Sequence, residues 1–182
     1  MKKDKLIKLI LAAMFLGLGL VLPFLTGQVP KIGNMLLPMH IPVLLCGFIC
    51  GWQYGAVTGF VLPLMRSAIF GMPVMFPGAV AMAFELAAYG FISGFLFGKA
   101  RWQCIRSLYR CLLIAMIGGR LVWGVFQTLL LGFSNFTFKM FLAGAFINAV
   151  PGIIIQLVLI PAVMLALNRT HLVPFKKHKH SN

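Results

Sequence analysis

Between Leu6 and Leu167 the chain returns again and again to apolar runs of bilayer-spanning length, with few polar residues between them. A helix needs about 20 residues to cross the hydrocarbon core, in a range of roughly 17–25. Six runs meet or approach that length: residues 6–25, 38–51, 54–70, 77–97, 107–131 and 138–167. The second is short, and the last is long and contains Pro151 and Pro161. Only 10% of residues are charged, where soluble domains carry about 25%. The expected fold is an all-α membrane protein: a bundle of six transmembrane helices forming one integral membrane domain over residues 1–182.

The charges orient that bundle. Against 16 Lys and Arg stand two acids, Asp4 and Glu85, for a net charge of +14. The bases flank the apolar runs. Lys2, Lys3, Lys5 and Lys8 lie at the first, Lys99, Arg101, Arg106 and Arg110 between the fourth and fifth, and Arg169, Lys176, Lys177 and Lys179 after the last. The opposite loops hold only Lys31 and Lys139. Cytoplasmic loops are rich in Lys and Arg, so both termini are expected in the cytoplasm. This pattern is a topology signal and excludes nucleic acid as the partner of the basic residues; the partner is membrane lipid. The basic, apolar N-terminus shows no clear small-x-small cleavage site and is expected to stay as the first helix. Cys46 and Cys50 share one helix face with no His or carboxylate beside them, which points to packing and not to metal.

Ionisable residues inside a membrane mark functional sites. Arg66, Glu85 and Arg120 fall within the third, fourth and fifth runs. Arg66 lies about 7 Å from the outer end of its helix, at about 1.5 Å per residue, and Glu85 about 12 Å in. Asn148 lies about 15 Å into the last run by the same rise. Glu85 has two arginines to choose between, and one carboxylate cannot neutralise both. Convergence of all three would leave a positive surplus for a ligand carboxylate or phosphate. The bland reading is a structural Glu–Arg bridge with the other arginine, Arg66 before Arg120, snorkelling to the interface. His40 and Asn135 lie in or beside outer loops, while Gln127 and Gln156 fit interhelical hydrogen bonding. Phe70, Met72, Met75 and Phe76 gather at an outer connection, where they cover a flat ring or face lipid. The loop 26–42 is either a lid or a plain connector.

No enzyme motif is present. Around Gly98–Lys99, Ser93 stands where a nucleotide-binding P-loop needs its first Gly, and Ala100 where it needs Ser or Thr. Catalytic residues, cofactor and metal are accordingly not expected. In the first run, Ala12 and the pair Ala13-x-x-x-Gly17 place small residues where another helix can approach closely.

Size, six runs, a basic N-terminus and the small-x-x-x-small first helix together resemble the substrate-binding S components of energy-coupling factor (ECF) transporters. The most specific stretch is HIPVLLCGFICGWQYGAVTGFVLPLMRSAIFG, His40 to Gly71, which looks like the paired second and third helices of that family. The resemblance implies a bacterial plasma-membrane protein that captures a vitamin or related cofactor precursor from outside. The pocket would lie at the outer ends of the later helices, with His40, Arg66, Glu85, Arg120, Asn135 and Asn148 as its candidates. It also implies docking, through Ala12, Ala13 and Gly17, on a module of a transmembrane scaffold and two ATPase subunits. The positive surplus leans towards an acidic vitamin, the aromatic residues towards a neutral ring. Readings from other classes are an autonomous ion-coupled transporter or channel with Glu85 as its ion site, a membrane enzyme, and a ligand-free scaffold.

Overall fold

The computed structural model describes residues 2–26, 37–100, 102–132, 138–144 and 149–170. Among the described residues seven α-helices follow in order: α1 (Lys2–Val21), α2 (His40–Cys50), α3 (Trp52–Phe70), α4 (Val80–Lys99), α5 (Ile105–Leu131), α6 (Phe138–Leu142) and α7 (Val150–Arg169). A 3₁₀ turn, Leu22–Thr26, extends α1, and a π turn, Met75–Ala79, leads into α4. No strand occurs among the described residues.

Among the described residues four helical segments are long and apolar enough to cross a membrane: Lys3–Phe24, Met75–Lys99, Ile105–Leu131 and Val150–Arg169. Two of the six expected runs depart from that standard. At 11 residues, α2 is about 16 Å long, roughly half the hydrocarbon thickness. By contrast α3 has 19 residues but carries Gln53, Thr58, Arg66 and Ser67, which dilute its apolar character. The expected last run, 138–167, is divided: α6 ends at Leu142 and α7 begins at Val150. Pro151 sits in the first turn of α7, where its missing N–H costs no helical hydrogen bond, so it marks a helix start.

The bundle is organised around α4, which packs against α2, α3 and α5. Half of its apolar window (50%) is buried, against 17% for α1 at the periphery. The core between these helices is built from Val43, Leu44, Leu62, Leu86, Leu108, Leu112 and Ala115, joined by Ile160 and Met164 from α7. Cys46 and Cys50 of α2 are buried with Ala12 of α1 in a smaller apolar cluster. The Cys46 thiol lies 3.6 Å from the Thr58 hydroxyl.

What brings α2, α3 and α4 so close is glycine. Gly47, Gly51, Gly55 and Gly59 recur every four residues through α2 and α3, and Gly90 and Gly94 repeat the spacing on α4. A Cβ on Gly90 would overlap the backbone carbonyl of Gly55, and one on Gly59 would overlap the carbonyl of Leu86. At Gly47 it would lie 2.7 Å from the Gly90 carbonyl oxygen. Apart from the Ser93 hydroxyl beside Gly47, the three backbones touch without a side chain between them, the packing that small residues permit in membranes. Gly51 has a different task. With φ at 102° it turns the chain from α2 into α3, a conformation that side chains disfavour.

A Cβ at the seam must displace backbone, whereas Gly98, on the same helix, has nothing within 4 Å. Gly90→Ala is expected to destabilise the protein by about 1–3 kcal/mol or more, as overpacking does. Gly98→Ala should be neutral or stabilising by up to about 1 kcal/mol. Thermal melts of the detergent-solubilised variants check this, and equal melting temperatures would exclude the seam as a tight contact.

Candidate functional site

Helices α2, α4 and α5 each contribute a polar side chain to one buried point, the Oε1 atom of Glu85. Arg120 of α5 reaches it with Nη1 at 2.8 Å. His40, the first residue of α2, places Nε2 at 3.4 Å. Tyr89 donates its hydroxyl from 3.3 Å. Glu85 and Tyr89 are four residues apart on α4 and so share a face. The His40 and Tyr89 rings meet edge to face with centroids 5.1 Å apart. All four side chains are buried: Glu85 is 1% exposed, His40 and Tyr89 2%, and Arg120 6%.

Charge explains why these groups sit together. A lone buried carboxylate or guanidinium in an apolar bundle is costly, and each here offsets the cost of the other. A carboxylate can only accept hydrogen bonds, so the His40 nitrogen facing it, Nε2, carries the proton. The opposite nitrogen, Nδ1, which accepts in the neutral ring and donates in the charged one, is buried with no protein partner among the described residues. The same holds for Arg120 Nη2, a donor. Two amides show it as well, Gln127 through Oε1 and Gln156 through Nε2. Gln127 lies seven residues beyond Arg120 on α5, two turns along the same face. Gln156 is on α7, which packs against both α2 and α5.

Arg66 is elsewhere. Its Nη1 donates to the Leu20 carbonyl at 2.7 Å. Its guanidinium lies 5.3 Å from the Phe24 ring centroid and 5.4 Å from that of Phe70. Those rings meet edge to face at 4.9 Å. Leu20 is in the last turn of α1, where carbonyls lack helical partners and the helix dipole favours a cation. Arg66 therefore ties the end of α1 to α3, and the choice open to Glu85 falls on Arg120. The three charges do not converge, so the positive surplus that convergence would leave does not form.

The remaining candidates divide as follows. Asn135 and Asn148 lie outside the described residues. Ala12 points inward against Cys46 and Cys50. Ala13 is exposed, and a Cβ on Gly17 would meet nothing within 4 Å. Met72, Met75 and Phe76 are exposed in the connection between α3 and α4, while Phe70 turns towards Phe24. Tyr89 is the member of the cluster that sequence reasoning missed. Its signal was a phenol four residues after a buried Glu.

A family model described as "ECF transporter, substrate-specific component" matches residues 7–164, most of the chain and every member of the Glu85 cluster. The chain belongs to this family. It is a multi-pass membrane protein of transport, an S component, which accords with apolar helices built around a buried polar centre. No curated protein and no solved structure gives a significant match.

Removing the charge on Glu85 leaves Arg120 buried and unpaired. Glu85→Gln is expected to cost about 3–5 kcal/mol, the usual penalty for breaking a buried pair. The double variant Glu85→Gln/Arg120→Met should recover most of that loss, because neither charge remains. Melting curves of wild type, single and double variants provide the cycle. Additive effects of the Glu85→Gln and Arg120→Met changes would contradict a direct pair.

Proposed function

We propose that this S component captures a vitamin or related cofactor precursor from outside the bacterial plasma membrane for uptake driven by ATP hydrolysis in partner subunits. The observation that carries the reading is the buried Glu85–Arg120–His40–Tyr89 cluster with its unpartnered donor and acceptor atoms. Such groups are costly inside a membrane unless something uses them. The chain is one integral membrane domain with six spans, α1 to α5 and α7, and cytoplasmic termini. The short α2 and the more polar α3 cross as a pair shielded by α1 and α4. In that orientation His40 starts its helix at the outer side and the cluster lies in the outer half, the half that a ligand arriving from outside reaches first. Asn135 and Asn148 belong to the same outer region by their place in the sequence.

Partner docking falls to α1. Its free face carries Ala13 and Gly17 among exposed Leu6, Ile10, Met14 and Val21. Ala12 supports the face from behind through its contact with α2. The partner is a module of a transmembrane scaffold and two ATPase subunits, which supplies the nucleotide chemistry for which this chain has no motif.

Copurification with a coexpressed module tests assembly. Ala13→Leu or Gly17→Leu should reduce recovery of the ATPase subunits about tenfold, on the scale of roughly 1.4 kcal/mol, and leave ligand binding intact. Equal loss of binding and assembly would reject α1 as the docking helix. Arg120→Met should show the converse, with ligand lost and assembly kept. Uptake by the purified chain alone along a proton gradient would replace this reading with an autonomous ion-coupled transporter.

A further inference from the structure

Of the four long apolar segments, the one formed by α1 is the most loosely held. Of its apolar window 17% is buried, against 28% to 50% in the other three. Along the middle of α1 the contacts are apolar. Ala12 sits against Cys46 and Cys50, and a Cβ on Gly19 would overlap the Leu62 side chain. Apolar contacts of this kind barely distinguish a neighbouring helix from lipid. They hold α1 near the bundle without fixing how it is turned.

The contact made by Arg66 is different in kind. Its Nη1 donates to the Leu20 carbonyl at 2.7 Å, a directional bond to the main chain of α1. Phe24, in the turn that extends α1, and Phe70, at the end of α3, meet edge to face beside the guanidinium. Arg66 is only 3% exposed. No other side chain of the chain can take over its charge. The two acids are Asp4 and Glu85, and Glu85 is held by Arg120. Asp4 lies in the first turn of α1, about 24 Å from Leu20 at 1.5 Å per residue. Releasing Leu20 would strand a guanidinium in an apolar bundle, so the tie resists release more than a bond between neutral groups does.

The place that Arg66 grips bears on what α1 presents. Ala13, Gly17 and Leu20 follow one another at spacings of four and three residues, which sets them on one stripe of the helix. Holding the main chain at Leu20 therefore fixes the turn of that stripe about the helix axis. A slip by a single residue rotates α1 by about 100°, enough to carry Ala13 and Gly17 off the free face.

Accepting that α1 is the docking helix, we propose that Arg66 is the positioning residue for assembly with the partner scaffold. Its bond to the Leu20 carbonyl, clasped by Phe24 and Phe70, holds the small-residue stripe of α1 in the attitude against which the partner packs. It also keeps α1 fastened to the bundle when a partner competes for that helix. Arg66 serves docking from within the chain and takes no part in ligand contact.

The test has two readouts. The first is hydrogen exchange of the detergent-solubilised full chain, followed by mass spectrometry of peptides covering residues 16–24 and 80–99. In Arg66→Met the first peptide should exchange about tenfold faster than in wild type, and the second, from α4, should not change. Phe24→Ala keeps every polar group and removes one ring, so it should act in the same direction by about threefold. The second readout is recovery of ATPase subunits with a coexpressed module. Arg66→Met should lower it as far as Ala13→Leu does, and Arg66→Lys, which keeps a cation and a donor at the helix end, should restore most of it. Unchanged exchange in residues 16–24 for both Arg66→Met and Phe24→Ala would overturn the tether. Equally faster exchange in α4 would make Arg66 a residue of general stability and overturn the proposal. Full recovery with Arg66→Met beside poor recovery with Ala13→Leu would overturn it too and leave α1 as the docking helix. Full recovery with both would reject α1 as the docking helix and take the proposal with it.

Discussion

The contact of bare backbones at the glycine seam underlies everything else in this protein. Apolar side chains give little reason for two helices to prefer each other over lipid, because lipid is equally apolar. Gly47, Gly55, Gly59, Gly90 and Gly94 supply that reason by letting α2, α3 and α4 approach until carbonyls and α-carbons touch. Close approach fixes the axial positions of the helices to within a fraction of a turn. His40 at the start of α2 and Glu85 early in α4 can meet only because the seam holds those helices in that register. The polar centre is thus a product of the apolar packing below it, and the order of dependence runs from glycine to carboxylate.

The two buried arginines show how unlike solutions meet one physical demand. Arg120 is held by a carboxylate and keeps one amino group unspent. Arg66 is held by a backbone carbonyl and two aromatic faces, with its charge directed at the weakly negative end of a helix. The first arrangement leaves chemistry available inside the bundle. The second fastens the peripheral α1 to the core, and α1 needs such a fastening because most of its surface faces away from the protein.

Much of this was legible in the sequence. The apolar runs located the helices, the paired-helix stretch from His40 to Gly71 carried the family, and the scarcity of acids singled out Glu85 as the centre of any buried charge network. The four-residue recurrence of glycine from Gly47 to Gly59 was also there to be read, as was Pro151 as a helix start. The partner of Arg66 was not, because every residue has a carbonyl and none advertises which one is unpaired and near. The weakness of α2 and α3 as independent spans was visible in their length and polarity. Their expected role came from counting runs, which gives no weight to how far neighbours shield them.

The tether between Arg66 and Leu20 has a consequence for how this chain can change over generations. The acceptor belongs to the main chain, so almost any side chain at position 20 preserves it. The Glu85–Arg120 contact, by contrast, is written in two side chains and must be kept or surrendered by both at once. Across descendants of this sequence, positions 85 and 120 should drift as a linked pair, while position 66 holds its arginine beside a freely varying neighbour.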